Sequence, residues 1–143
     1  MTQTAELLIT RVFDAPRELV FECLTTPEHL THFWGPTGTS APLDRITVEL
    51  EVGGAFRTVM VNDESGEEHP TSGVFTVIDP PEKLGWREDG GAESVSTFID
   101  LGDGRTEVQI HQTNLPLEFT TPDAQAGFET SLDRLAAHLR TIN

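Results

Sequence analysis

Hydrophobic and polar positions alternate along most of the chain, and the period changes in a way that predicts its elements. Residues 5–13 (AELLITRVF) have strand composition. Asp14-Ala15-Pro16 follows, with Pro16 suited to a first helical turn, and the spacing predicts a short helix over 16–24. Thr25-Thr26-Pro27-Glu28 repeats the start signal: Thr26 as N-cap, Pro27 at the first helical position and Glu28 at the positive end of the dipole. A second short helix is expected over 28–33. From 43 to 52 the period is two, with Ile46, Val48, Leu50 and Val52 alternating against Thr47, Glu49 and Glu51. Gly53-Gly54 then turns the chain into an antiparallel return over 55–61. Four more strands are expected at 71–78, 83–88, 93–101 and 106–113, the last two joined by the hairpin signal Gly102-Asp103-Gly104. Phe128, Leu132, Leu135 and Leu139 are spaced by four, three and four, so the segment from a Thr121 cap and Pro122 to about 141 reads as one amphipathic helix, roughly 30 Å long.

The order is thus β-α-α-β-β-β-β-β-β-α: an α+β chain with a seven-stranded antiparallel curved sheet and a long C-terminal helix packed on one face. A twisted sheet of this size curls, and one helix cannot fill its concave side. A cavity is expected there. Strand parity assigns its lining to Val48, Leu50, Phe56, Thr58, Val74, Thr76, Val95, Thr97, Val108 and Ile110. Small residues on the helix face, Ala124, Gly127 and Ser131, plug the space poorly.

Composition narrows the functional classes. The 143 residues carry 24 acidic against 9 basic side chains, a formal charge of −15, which disfavours phosphate backbones and anionic lipid surfaces as partners. No apolar run approaches the roughly 20 residues that span a bilayer, and the N-terminus lacks a basic-then-apolar leader, so a cytoplasmic protein without membrane insertion is expected. Cys23 is the sole cysteine, which excludes an internal disulfide and a multi-thiolate metal site.

Four stretches carry a resemblance: ITRVFDAPRELVFECLTTPEHLTHFWGP (9–36), ELEVGGAFR (49–57), GVFTVIDPPEKL (73–84) and SLDRLAAHL (131–139). Together they resemble the START-like (SRPBCC) superfamily, and within it the bacterial stand-alone branch related to the C-terminal domain of the activator of heat shock protein 90 ATPase. The likeness runs collinearly over nearly the whole chain, taken as one domain over 1–143. It implies a helix-grip fold, in which the sheet grips the terminal helix over a cavity. Relatives include lipid and sterol carriers, plant hormone receptors and aromatic polyketide cyclases, so the fold implies a hydrophobic ligand without naming a reaction. Two departures concern the cavity: Phe33-Trp34 stands where the family often has two Trp before Gly-Pro, and Phe128 follows Gly127 where a Trp is common.

Trp34, Trp86, Phe128 and Leu132 complete the expected ligand-cavity set, each also readable as plain packing. His29 and His32 lie three apart on a helix, a spacing able to hold a metal if further ligands converge; they are read instead as surface histidines, with no metal site and no cofactor expected. His138 is placed on the polar side of the last helix, His111 on the solvent face of its strand and His69 in the acidic loop. Parity points Arg57 outward, while an inward Arg57 or Glu88 stays open as a charge for a ligand or an enolisable ketone. No nucleophile elbow, phosphate loop or paired catalytic carboxylates are found. The function expected is non-catalytic binding of a small hydrophobic molecule by a monomer or homodimer. The alternatives are a polyketide cyclase or dehydratase-like enzyme, which needs polar groups converging in the cavity, and a co-chaperone-type stress protein with a chaperone partner.

Overall fold

The computed structural model describes residues 4–142 of the chain. Strand β1 (Thr4–Phe13) leads into helices α1 (Arg17–Thr25) and α2 (Pro27–Phe33). Two very short strands, β2 (Thr39–Ser40) and β3 (Thr47–Val48), flank a 3₁₀ turn at Leu43–Arg45. The main strands follow: β4 (Ala55–Asn62), β5 (Glu68–Asp79), β6 (Lys83–Glu88), β7 (Glu93–Asp100) and β8 (Thr106–Pro116). A 3₁₀ turn (Leu117–Thr120) precedes α3 (Pro122–Ile142). The antiparallel sheet runs β1-β8-β7-β6-β5-β4-β2, with β3 also paired to β4, and α3 lies across it in a helix-grip α+β arrangement.

The sheet therefore has eight strands among the described residues, not the seven expected. The difference lies in 39–54. The continuous strand read over 43–52 pairs with β4 only at Thr47↔Arg57 and Val48↔Phe56. Beyond Val48 the chain turns: after Glu49 N donates to the Ala55 carbonyl, Glu51 N donates to Glu49 O, Gly54 N to Glu51 O, Gly53 N to Phe75 O, and the Glu49 carboxylate accepts from Ala55 N at 3.0 Å. Polar side chains that satisfy neighbouring backbone groups compete with ladder pairing. Gly54 makes the tight turn possible, since a Cβ there would sit 2.1 Å from the Glu49 carbonyl oxygen. Leu50 and Val52 are left 46% and 67% exposed.

The α3 start is as expected, with Thr121 Oγ1 accepting from Ala124 N at 3.2 Å. Thr26 differs, making no side-chain cap bond at α2 although Pro27 does open the helix. The core sits between sheet and helices, with Phe56, Phe75, Phe98, Leu84, Leu30, Val20, Leu135 and Leu139 essentially fully buried. Thr106 Oγ1 donates to the Ala15 carbonyl at 2.7 Å inside that core and ties β8 to the entry of α1.

Candidate functional site

A cavity of about 80 Å³ lies between the sheet and the middle of α3. Its walls are mostly carbon. The sheet contributes Phe13, Trp86, Val108 and Ile110; α1 and the end of α2 contribute Val20, Leu24 and Phe33; α3 contributes Phe128, Leu132 and Leu135. Trp34, just after α2, closes one side. Polar side-chain groups come from Ser94, Ser96, Gln112 and Ser131 and from the indole N–H groups of Trp34 and Trp86, and no lining side chain is titratable.

The aromatic end combines one stacked and one edge-to-face pair. Phe56 stacks on Trp86 with ring centres 5.0 Å apart, and Trp34 meets Phe56 edge-on at 5.2 Å. Such pairs hold ring orientation beyond what burial alone supplies. The Trp34-Gly35-Pro36 loop is latched to α3 by polar bonds. Arg134 Nη1 donates to the carbonyls of Gly35 at 2.8 Å and Pro36 at 3.1 Å, Ser131 Oγ donates to the Phe33 carbonyl at 3.3 Å, and Thr37 N donates to Thr130 Oγ1 at 3.0 Å. Gly35 is needed at this bend: its φ is +94°, and a Cβ would lie 2.6 Å from Thr39 Oγ1 and 2.8 Å from Met60 Sδ.

Of the residues read from the sequence, Trp34, Trp86, Val108, Ile110, Phe128 and Leu132 meet at this cavity. Phe56 and Thr58 do point inward but are buried in the solid core beside it, and Val48 packs against that core without reaching the space. Leu50 is exposed, as described. Val95 and Thr97 were assigned the wrong face: the inward residues of β7 are Ser94, Ser96 and Phe98. In β5 the inward position is Phe75, so Val74 is displaced to the outer face opposite Arg87, and Thr76 falls at a register shift between Phe75 and Val77. That bulge moves the inward parity from odd residues to even, since Ile78 then pairs with buried Leu84.

Ser94, Ser96 and Gln112 were missed, although the hairpin signal could have found them. A turn centred on Asp103 pairs Phe98 with Val108, Ser96 with Ile110 and Ser94 with Gln112, and cross-strand partners share a face. Once Val108 and Ile110 point inward, the serines must too.

The charged candidates divide. Arg57 is exposed. Glu88 is half-buried on the same face as Trp86, at the end of β6. Burial, and then repulsion from Asp89, holds its carboxyl above the ordinary range. His111 faces solvent beside Glu6 and, with Leu8, Thr97 and Gln109, lines a shallow depression of about 540 Å³ on the outer face of the sheet. That depression is larger than the inner cavity but gives no enclosure, so a desolvated ligand gains little there.

His138 is also corrected. It does not project from the polar side of α3 but packs against α2, with its Nε2 2.9 Å from His29 Nδ1 and its ring stacked on His32. Burial, then the proximity of His32 and His29, lowers its pKa. Cys23 lies fully buried beside this group, where burial and the Glu22 charge push its thiol up to about 12.

Residues 14–140 match the family model described as Activator of Hsp90 ATPase homolog 1-like protein. Solved bacterial structures are similar over nearly the full length. A Chromobacterium violaceum protein is 26% identical with a TM-score of 0.82, covering 93% of this chain and 96% of its own. A Silicibacter pomeroyi protein titled AHSA1 is 29% identical with a TM-score of 0.77, covering 97% of this chain and 100% of its own. A Rhodobacter sphaeroides protein shares the fold at 19% identity and a TM-score of 0.86, covering 99% and 96%. No curated protein matches the chain.

Proposed function

This chain belongs to the family of Activator of Hsp90 ATPase homolog 1-like proteins, a START-like branch, and on that premise we propose that it binds a small, largely apolar molecule between sheet and α3 without transforming it. The observation that carries the reading is the lining itself: a wall of Trp, Phe, Leu, Ile and Val broken by three serines and one glutamine. Apolar walls with a few fixed polar groups hold and orient a ligand. A cyclase needs an acid or base within reach of the substrate proton, and the polar side chains of this lining are hydroxyls, an amide and two indoles, none of them titratable.

Size constrains the ligand. At about 80 Å³ the cavity is well below the roughly 300 Å³ where drug-sized sites begin. Binding therefore requires the wall to move, and the movable part is the side made of Trp34 and Phe128. Both are only partly buried, one on a loop held by hydrogen bonds and the other on the half of α3 that has no fully buried residue.

Native mass spectrometry of freshly purified protein tests the proposal. A non-covalent adduct in the mass range of a small lipid or aromatic metabolite, lost on denaturation, is the expected result. A bare chain that also takes up nothing from a panel of neutral apolar compounds contradicts it.

A further inference from the structure

Away from the cavity, the three helices meet at a cluster that ligand binding does not use. Cys23 is fully buried on α1, His29 lies in the first half of α2, and His138 lies near the end of α3. One donor atom from each falls within 4.8 Å of the others, and the facing nitrogens, His29 Nδ1 and His138 Nε2, are 2.9 Å apart. We propose that Cys23, His29 and His138 form a binding site for a borderline-soft divalent cation of the zinc class.

Donor chemistry and geometry both lead there. One sulfur and two imidazole nitrogens suit zinc and its neighbours, whereas magnesium and calcium require oxygen ligands that this cluster does not offer. Metal–nitrogen bonds of about 2.0–2.1 Å and a metal–sulfur bond of about 2.3 Å place tetrahedral donors roughly 3.3–3.6 Å apart. The observed separations bracket that range. The two nitrogens must part by about 0.4 Å and the longest gap must close by at most about 1.2 Å, changes within reach of small side-chain rotations.

The scaffold already brings the ligands together. Cys23 and His29 are six residues apart across the α1–α2 break, and the polar bonds between α3 and the loop after α2 fix the third ligand's element against the second. His32 lies flat on His138 with ring centres 4.8 Å apart and restrains that ring's orientation. Three protein ligands leave a fourth position for water or an exogenous group, the pattern of an open zinc site. The chain's charge of −15 favours cation capture. On binding, the Cys23 S–H bond breaks, the thiolate pair goes to the metal and the proton goes to solvent; no electron is transferred.

The test is a titration of the reduced, chelator-treated full chain with Co²⁺ as a spectroscopic probe. Expected are one ion per chain, visible d–d bands of tetrahedral intensity, a near-ultraviolet thiolate-to-cobalt charge-transfer band, and displacement of both by Zn²⁺. Cys23→Ser removes the charge-transfer band. His138→Gln and His29→Gln each weaken binding by about tenfold or more, with circular dichroism confirming that the variants are folded. His111→Gln, on the outer sheet face, leaves binding unchanged. No binding, a weak octahedral spectrum without the charge-transfer band, or equal affinity in wild type and all three cluster variants overturns the site and reduces the cluster to an imidazole pair packed on a thiol.

Discussion

The two halves of α3 share one sheet and one helix, yet they differ in kind. In the C-terminal half Leu132, Leu135 and Leu139 are fully buried and close the core against Phe98, Phe21 and Leu30. In the N-terminal half no residue is fully buried; Phe128 is only partly covered, and Gly127 faces Pro36 with its nearest potential contact 3.6 Å away. The C-terminal half is held by apolar packing, whereas the loop beside the N-terminal half is held to the middle of α3 by a few hydrogen bonds, from Thr130, Ser131 and Arg134, of modest individual worth, about 0.5–1.5 kcal/mol each. A single helix is thus fully packed along its C-terminal half and only partly covered along its N-terminal half.

The largest expected effect breaks the anchored half. Leu135→Ala removes a buried side chain that packs in the core and borders the cavity, and should lower stability by about 2–5 kcal/mol in a denaturant titration. Next is Gly35→Ala at the latch, where a positive φ and two close neighbours predict a loss of about 1–3 kcal/mol. Phe128→Ala should cost less than Leu135→Ala, about 1–2 kcal/mol, because its side chain is only partly buried. An equal cost for the two helix positions removes the contrast between the halves. Gly127→Ala adds a methyl with room to spare and a better helix former, so thermal unfolding should show a gain of about 0.5–1 kcal/mol.

The smallest effect is pH-dependent. The folded state holds the Glu88 proton more tightly than the unfolded chain, whose ordinary value is 4.5. The associated stability is present below pH 4.5 and lost as pH rises through the raised folded value. Glu88→Gln should therefore stabilise the protein slightly at pH 7, by less than about 0.5 kcal/mol, and give no gain at pH 4. Unfolding curves at the two pH values check the sign.

Local signals made most of the fold readable. The Phe128-Leu132-Leu135-Leu139 stripe, the Pro16 and Pro27 starts and the glycine turns each act over a few residues, and the three helices and the strands β4, β7 and β8 stand close to where they put them, whereas the strand expected before Gly53 is reduced to Thr47–Val48. The site was harder to read because strand parity is a global property. In ESVSTFID one face carries Val95 and Ile99 and the other only Phe98 among hydroxyls, so alternation alone favours Val95 over Ser96 as the inward residue. The β5 bulge is set by pairing to β6, which lies beyond the strand's own pattern. Leu50 alternates as a strand residue should, but no ladder partner faces it. His138 was misplaced for the opposite reason: α2 covers a stretch of α3 that looks polar in isolation.

Filling the cavity measures the central claim most directly. Ser96 is buried, lines the space and faces Ile110 across the sheet, so Ser96→Leu places apolar atoms where a guest must sit. Both tryptophans of the chain line the same space and can pass excitation to a neutral naphthylamine probe. Saturable, stoichiometric energy transfer in the wild type that is lost in a folded Ser96→Leu protein is the result predicted here. Undiminished transfer in the filled variant, or none in the wild type, would contradict it.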